Sequence, residues 1–282
     1  MASPQWSLVA FTVLAQAAVG MTLVTAAMAA GGVTLGRSFR RVIIAKLALM
    51  AAALLFSFLH LGDATRAIYA VSHWRNSWLS REVLLAAIFI GLLCLTLVVG
   101  AGGRTGERPF GVLLAVTVLI GVALVTVMAR VYMVPTVPSW HGPSTPIAFA
   151  VTTVLLGAST MLVMLGPGTA TDLGGVHART LATWLIGAIA LALLVKLGAA
   201  VALGPPVATD HAAFPAAAAS GIWRTVAWSA IVVGVAALAA WLAAWRNHRP
   251  ASGFALLALV AFFVAEIVER ALFYASYFRL GV

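Results

Sequence analysis

Charged residues are scarce in this sequence, and their scarcity excludes most soluble folds. Only 9% of the 282 residues are Asp, Glu, Lys or Arg, whereas a soluble domain carries about 25%. The mean hydropathy is +1.09, and repeated apolar runs reach the length of about 18 residues that indicates a membrane-spanning helix. We therefore predict an all-α, polytopic membrane protein that lies in a lipid bilayer.

Cysteine and acidic residues are also scarce. The one cysteine, Cys94, excludes an internal disulfide and any iron–sulfur cluster held by this chain alone. Cys94 lies within an apolar run, so we interpret it as a small core residue. The sequence contains seven Asp and Glu and seventeen Lys and Arg, which give a formal net charge of +10 at pH 7. The basic residues are scattered over short connections, a pattern typical of topology signals and not of nucleic-acid binding.

The apolar runs predict a single integral-membrane domain over residues 1–282. Its eight predicted spans cover roughly 6–31, 42–62, 83–102, 110–132, 147–166, 181–203, 225–245 and 251–275. The first run contains Gln16 and lacks a charged segment before it, so we expect a retained span and not a cleaved signal peptide. An even number of spans places both termini on one side of the membrane.

The arginines predict which side that is. Loops 1, 3, 5 and 7 carry Arg37, Arg40, Arg41, Arg104, Arg108, Arg179, Arg246 and Arg249. The opposite side carries Arg66, Arg75, Arg81, Arg224 and Arg279 over longer loops. Because cytoplasmic loops carry the excess of basic residues, we expect both termini on the extracytoplasmic side. Loops 2, 4 and 6 then lie outside. The richness in Ala, Gly and Val indicates a bacterial genome rich in G and C, so we expect localisation in the bacterial inner membrane.

Polar residues are concentrated where the second apolar run ends. His60 closes that run, with Ser57 and Asp63 three residues to either side, a spacing that puts all three on one helix face. A histidine at the membrane edge can exchange a proton near neutral pH, and a carboxylate beside it can relay that proton. The alternative is a structural histidine that caps the end of the helix.

Glu82 stands near the start of the third run, within the stretch "WRNSWLSREVLL". Ser80 is a plausible N-cap there, and a glutamate in the first helical turn is favoured by the helix dipole. The functional alternative is a carboxylate that faces the same pocket as His60. Trp74, Trp78 and Arg75 of the same stretch are typical of an interfacial aromatic belt.

Buried charges are predicted in the fourth and eighth runs. Arg130 lies inside the end of span four, where a buried guanidinium needs an anion or a carbonyl as a partner. In span eight, Glu266, Arg270 and Tyr274 recur every four residues and share one stripe. This stripe fits either a structural ion pair between helices or a proton relay. Lys196 in span six is another isolated charge, either paired or reaching the membrane surface.

Histidine positions argue against a bound heme. Bis-histidine ligation needs two histidines on facing spans, and only His60 lies in a span. The others, His73, His141, His177, His211 and His248, lie in or beside loops. We therefore predict no heme and no metal site in this chain.

Six stretches resemble one family in the same order along the whole sequence. They are "FTVLAQAAVG", "LHLGDATRAIYAV", "LSREV", "RVYMVPTVPSWHGPSTPIAF", "IWRTVAW" and "AEIVERALFY". The family is the membrane anchor subunit of dimethyl sulfoxide reductase, a quinol-oxidising partner of molybdopterin enzymes. The resemblance implies an anchor with eight spans and no heme of its own. It implies oxidation of menaquinol or ubiquinol and electron transfer to an iron–sulfur subunit, which feeds a molybdopterin catalytic subunit.

The resemblance also implies site residues. The histidine of the family's LHLG motif falls on His60, and the acid of its Ser-x-Glu motif falls on Glu82. This sequence departs from the family in Asp-Ala-Thr after LHLG, in Arg81, and in an added Glu269. The expected catalytic residues are His60, Glu82 and Asp63. The expected quinol-binding residues are His60, Ser57, Arg66, Tyr69, Arg130, Tyr132 and Trp140.

Three other functions are compatible with the same sequence. An anchor of this shape can reduce quinone with electrons from a different molybdenum enzyme, and one sequence does not fix that direction. A secondary transporter binds its substrate at mid-membrane on broken helices, whereas the polar residues here lie at one membrane edge. The third alternative is a purely structural anchor that binds no quinol.

Overall fold

Eight α-helices make up the described part of the protein. The structure, a computed structural model, describes residues 5–33, 35–61, 73–102, 107–164, 175–203, 216–247 and 251–277, without the side chains of 37, 59–61, 175–179 and 216–220. The helices are α1 (Trp6–Ala30), α2 (Phe39–Leu61), α3 (Trp78–Ala101), α4 (Arg108–Tyr132), α5 (Ser144–Met164), α6 (Gly175–Leu203), α7 (Ala216–Arg246) and α8 (Ser252–Ala275). The all-α prediction is confirmed, with one helix for each predicted span.

Seven helices in the described ranges are long and apolar enough to cross a membrane. These seven are α1 to α7, so the protein is a multi-pass membrane protein. The eighth helix, α8, is not among them; it carries Glu266, Glu269 and Arg270 in its second half. The eighth span and the side on which the termini lie therefore stay predictions.

The centre of the bundle is the crossing of α1 and α5. α1 packs against α2, α4, α5 and α8, and α5 packs in addition against α6. A methyl group on Gly20 would overlap the carbonyl oxygen of Thr153, and one on Gly157 would overlap the backbone of Gly20. Small residues let two membrane helices approach this closely. Polar side chains of α1, among them Thr12 and Gln16, are consequently fully buried.

The other helices surround this crossing in pairs. α3 packs on α4 and α2, α8 packs on α7, and α6 lies against α5. α6 buries a narrow stripe at helical spacing, which consists of Ala182, Leu185, Ile189 and Ala192. Its other faces expose leucines such as Leu191 and Leu194, as expected for a helix in contact with lipid tails.

Side-chain contacts distinguish the two ends of the bundle. At one end, called here the Phe39 end, the ring of Phe39 packs edge-on against Phe110 with centroids 5.8 Å apart, beside Gly100. The other end, called here the aromatic end, is defined by Trp78, Tyr132, Trp140, Phe273 and Tyr277. There the Nε1–H of Trp140 donates to the carbonyl oxygen of Phe273 at 2.8 Å, and Ser139 donates to that of Ser276 at 2.8 Å. These bonds hold the α4–α5 loop on the end of α8.

The start of α3 differs from the prediction. The helix begins at Trp78, and its N-cap is Ser77, whose Oγ accepts from the backbone N–H of Ser80 at 3.3 Å. The N-cap prediction at Ser80 is therefore wrong, and Glu82 lies beyond the first turn. The prediction failed because it placed the helix start at the apolar run, whereas a capped helix extends into the polar residues before it.

The single cysteine also differs from the prediction. Cys94 lies on an exposed face of α3 and is not a core residue. In a membrane helix a small apolar side chain is equally compatible with a lipid-facing position, so residue type alone did not reveal which face it occupies.

Candidate functional site

Glu82 is a deeply buried carboxyl at the aromatic end. It is 2% exposed and lies about one turn into α3. Its Oε1 has no hydrogen-bond partner among the described residues. It lies within electrostatic range of Tyr132 on α4 and Tyr274 on α8. A buried acid without a partner has a free-energy cost, and such groups in membrane proteins are found mainly where a ligand or a proton uses them.

The predicted partner of Glu82 is only partly described. The backbone of His60 belongs to the last turn of α2, at the aromatic end, and its side chain lies outside the described part. Ser57, one turn earlier on the same helix, is half-buried. Asp63, Arg66 and Tyr69 lie outside the described residues. The pairing of His60 with Glu82 therefore stays a prediction.

Two predicted quinol-binding residues meet in a cluster of rings. Tyr132 is buried and contacts the half-buried Trp140 edge-on, with ring centroids 5.6 Å apart. Trp140 stacks on Phe273 at 5.2 Å, and Tyr132 contacts Tyr274 at 5.2 Å. Phe149 closes the cluster from α5, 5.9 Å from Tyr132. The rings of three helices and one loop thus form a continuous apolar wall, and Tyr132 and Tyr274 of this wall lie within electrostatic range of Glu82.

The expectation of a buried Arg130 is wrong. Arg130 is exposed, and its guanidinium lies over the ring of Trp78, 5.5 Å from the centroid. Ala129 and Tyr132 occupy the inward-facing side of this last turn of α4, and helical geometry then turns Arg130 outward. Arg130 is therefore a rim residue of the site.

The neighbouring Arg81 shapes the rim as well. Its guanidinium stacks over Trp78 at 4.3 Å and donates to the carbonyl oxygens of Trp74 at 2.9 Å and Arg75 at 2.6 Å. The side chain thereby fixes the turn that leads into α3. Arg81 acts on the backbone that positions Glu82, which lies next to it in the sequence.

The predicted stripe on α8 is buried, but its ion pair differs from expectation. Glu266, Arg270 and Tyr274 are 3%, 4% and 6% exposed. Glu266 pairs with Lys196 of α6 at 2.6 Å, and Lys196 also contacts Glu269 at 2.6 Å. The isolated lysine of the sixth run is thus paired, and the pair ties α6 to α8.

Arg270 is joined to Glu266 through another helix. Its Nη2 donates to the Oε1 of Gln16 at 3.1 Å and to the Oγ1 of Thr152 at 3.3 Å. The Thr152 hydroxyl in turn lies 2.5 Å from the Oε2 of Glu266. The guanidinium also rests on the face of Phe149, 3.7 Å from the ring centroid. Side chains of α1, α5, α6 and α8 therefore form one buried polar network.

Sequence reasoning recognised some members of this network but not their roles. Lys196 was identified as an isolated charge that is either paired or at the membrane surface, and the structure shows it paired. Gln16 was noted only as a polar residue of the first run, although a lone polar residue inside an apolar run is a signal for such a role. Thr152 carried no such signal, because threonine is common in membrane helices and bonds its own helix, here the carbonyl oxygen of Ala148 at 2.8 Å.

Metal ligation has no support within the described ranges, where His, Cys, Asp and Glu form no group of three that could hold an ion.

Bundle architecture, lipid-facing surfaces and buried polar and charged side chains define a polytopic helical membrane protein with an internal polar network. Comparison with known families assigns that class more closely. The model of the DMSO reductase anchor subunit family (DmsC) matches residues 1–276. The protein therefore belongs to this family and is a membrane anchor subunit, as the sequence motifs predicted.

Individual relatives agree with the family match. The sequence is 28% identical over 289 residues to the YnfH subunit of an anaerobic dimethyl sulfoxide reductase of Escherichia coli, covering 99% of this protein and 96% of that one. It is 28% identical to the C subunit of anaerobic dimethyl sulfoxide reductase from the same organism, with the same coverage. The corresponding C subunit of Haemophilus influenzae is 33% identical over 162 residues, which is 57% of this protein and 58% of that one. No solved structure matches the sequence.

Proposed function

We propose that this anchor subunit binds menaquinol or ubiquinol at the aromatic end and oxidises it, using Glu82 and His60 as proton acceptors. The observation that carries the proposal is Glu82, a carboxyl 2% exposed whose Oε1 lacks a partner among the described residues. A quinol hydroxyl supplies the hydrogen-bond donor that this oxygen needs. The apolar wall of Tyr132, Trp140 and Phe273 next to it suits a quinol ring.

The membrane arrangement in this proposal has eight spans. α8 has the length of a span, about 36 Å at the usual helical rise, and packs against α1, α5 and α7. Its charged residues bond within the bundle, which is how intramembrane charges are tolerated. With the arginine-rich loops in the cytoplasm, the aromatic end and both termini face the extracytoplasmic side.

The proposed partners are an iron–sulfur electron-transfer subunit and a molybdopterin catalytic subunit. The names of the relatives assign them to a dimethyl sulfoxide reductase, and this protein has no cysteine set for a cluster of its own. The electrons of the quinol therefore need an acceptor in a partner. Loops 2, 4 and 6, above the aromatic end, are the proposed docking surface for the iron–sulfur subunit.

In the proposed mechanism, His60 and Glu82 each accept one of the two protons of the quinol. The quinol ring enters beside the aromatic wall, and its two hydroxyls meet His60 and Glu82 at opposite edges. Each O–H bond breaks as the proton passes to an imidazole nitrogen or a carboxylate oxygen, and two electrons leave for the partner's cluster. Asp63 relays protons to the outer water, while Arg66 and Arg130 at the rim stabilise negative charge that develops on the quinol oxygens. Ser57 and Tyr69 complete the proposed binding residues.

Glu82→Gln tests this proposal in the assembled reductase complex. The amide keeps the size of the side chain and removes the proton acceptor, so quinol-dependent turnover should fall by about 10²–10⁴-fold. His60→Ala should abolish quinol-dependent turnover while the complex still assembles. The measurement is the rate of quinol oxidation at saturating quinol, beside the amount of assembled complex.

Glu107→Gln is the matched control. Glu107 is an exposed glutamate before α4, at the Phe39 end, and its amide variant should oxidise quinol at the unmodified rate. Normal quinol oxidation by assembled Glu82→Gln and His60→Ala complexes would refute the proposed site.

A further inference from the structure

The turn before α3 exposes two tryptophans and an arginine at the aromatic end. Trp74 and Trp78 are 49% and 41% exposed, and Arg75 between them is exposed as well. These three residues are called here the Trp74 surface. The guanidinium of Arg75 lies 5.4 Å from the centroid of the Trp74 ring. Large exposed rings in a membrane protein contact either lipid or a protein partner, so this surface needs an occupant.

Hydrogen bonds hold this turn in one conformation. Two backbone hydrogen bonds of 3.0 Å close the turn over residues 73–77. Arg81 donates through Nε to the carbonyl oxygen of Trp74 at 2.9 Å and through Nη2 to that of Arg75 at 2.6 Å. Its guanidinium also stacks over the ring of Trp78, 4.3 Å from the centroid. A surface that is ordered before its partner arrives loses less conformational entropy on binding.

The position of the turn along α3 favours a protein partner over lipid. The apolar run of this helix begins at Val83, five residues after Trp78, which is about 7.5 Å of helix. The headgroup layer on each side of a bilayer is about 5–7 Å thick. Trp74 and Arg75 precede Trp78, and Arg81 reaches them towards the N-terminal end of the helix. Trp74 and Arg75 therefore lie at the water side of the headgroup layer, where a water-soluble partner docks.

The charge of this surface selects the kind of partner. The described part contains four acids, which are buried, paired with Lys196 or located at the Phe39 end: Glu82, Glu266, Glu269 and Glu107. None of these four forms an ion pair with Arg75. The guanidinium of Arg130 lies over Trp78 at 5.5 Å and adds positive charge beside the surface. Exposed tryptophans with unpaired arginine charge fit a partner that presents Asp and Glu side chains.

We propose that the Trp74 surface binds an acidic face of the iron–sulfur subunit, with the tryptophan rings as anchors and Arg75 opposite a carboxylate. This inference rests on the proposed function, which supplies that subunit and places it above the aromatic end. Arg130 contacts Trp78 and belongs to the rim of the proposed quinol site, so a subunit bound here borders that rim. Docking at the Trp74 surface therefore brings the electron acceptor to the same end of the bundle as the electron donor.

A photo-crosslinking amino acid in place of Trp74 tests the contact in the assembled complex. A benzophenone side chain at this position should, on irradiation, form a covalent adduct with the iron–sulfur subunit, which mass spectrometry identifies. The matched control carries the same amino acid in place of Trp184, which is 55% exposed on α6 beside Gly31 at the end of α1. The control should form no adduct with either partner subunit. Adducts of position 74 with lipid or the molybdopterin subunit alone, or no adduct, would overturn the inference.

Arg75→Gln tests the charge, with Arg246→Gln as the matched control. Arg246 is exposed in the last turn of α7, at the end of that helix opposite to the aromatic end. The measurement is the affinity of the iron–sulfur and molybdopterin subunits for membranes that contain the full anchor. Arg75→Gln should weaken binding about tenfold at low salt, and the difference should shrink as salt screens the charges. The control should bind like the unmodified anchor. Unchanged affinity of Arg75→Gln, or the same loss at every salt concentration, would contradict a pairing of Arg75 with acids.

The docking surface and the quinol site can fail separately. If the crosslinking amino acid prevents attachment of the partners, the Arg75→Gln measurement alone decides the inference. If Glu82→Gln blocks quinol oxidation while position 74 labels no iron–sulfur subunit and Arg75→Gln binds normally, the docking surface is refuted and the quinol site stands. If position 74 labels the iron–sulfur subunit while an assembled Glu82→Gln complex oxidises quinol normally, the quinol site is refuted and the docking surface stands.

Discussion

Each end of the bundle holds a lysine within a membrane helix, and the surroundings of the two lysines are different. Lys46 of α2, towards the Phe39 end, is fully buried and donates to the hydroxyl of Thr25 at 2.6 Å. Lys196 of α6, towards the aromatic end, contacts two glutamates, each at 2.6 Å. The first lysine lies among apolar packing, and the second belongs to a network that joins four helices.

The two ends of the bundle also differ in how they are packed and in how many buried polar atoms they hold. The Phe39 end packs mainly with rings and small residues, as at Phe39, Gly100 and Phe110, and its buried Lys46 has one hydrogen bond, to Thr25. The aromatic end has the same helices and yet holds Glu82, Gln16 and Tyr274 with unpartnered atoms. One further unpartnered buried atom among the described residues, the Nε1 of Trp241, lies on α7. The larger number of such atoms at the aromatic end supports the proposed quinol site there.

Removing Lys196 should have the largest effect on stability. Lys196→Met leaves Glu266 buried and without its ion partner, and losing one member of a buried pair costs about 3–5 kcal/mol. The free energy of unfolding, or the melting temperature of the complex, measures this loss. A double change, Lys196→Met with Glu266→Gln, should recover part of it, because the uncompensated charge of the deeply buried Glu266 is then gone, while that of Glu269, 31% exposed, remains. Equal stability of Lys196→Met and the unmodified complex would contradict the role of the pair.

The same change at the other end should have a small effect. Lys46→Met replaces the side chain with an apolar one of similar length, and Thr25 keeps its bond to the carbonyl oxygen of Met21 at 2.8 Å. Because desolvation of the ammonium offsets its single bond to Thr25, we expect a stability change of about 1 kcal/mol or less. Quinol oxidation should be unchanged. If Lys46→Met lowered the stability as much as Lys196→Met does, the proposed difference between the two ends would be contradicted.

The fold was largely predictable from apolar run lengths. All eight helices were expected, and the start of α1 at Trp6 and the end of α4 at Tyr132 match the expected spans. Helix starts in polar sequence were not predictable from hydropathy, since Ser77 and the residues after it extend α3 before its apolar run begins. The sequence also did not predict which face of its helix a residue occupies: Cys94 and Arg130 were both expected to be buried and are exposed.

The candidate site was predictable in part. Family motifs indicated Glu82, and four-residue spacing identified the buried stripe of Glu266, Arg270 and Tyr274. The partners of that stripe come from α1, α5 and α6, and no local pattern predicts which distant helices meet. Gln16 and Arg270 are 254 positions apart in the sequence, so only the packing of the bundle reveals their contact.

Photoaffinity labelling with a quinone that carries a photoreactive group on its ring tests the quinol site at the aromatic end most directly. The assembled complex is irradiated with the bound quinone, and labelled peptides are identified by mass spectrometry. We predict label at the aromatic end, on the start of α3 around Glu82 or on Trp140, and its loss when an excess of unlabelled quinol competes. Competable label confined to the Phe39 end, near Phe39 or Phe110, would contradict a quinol site at the aromatic end.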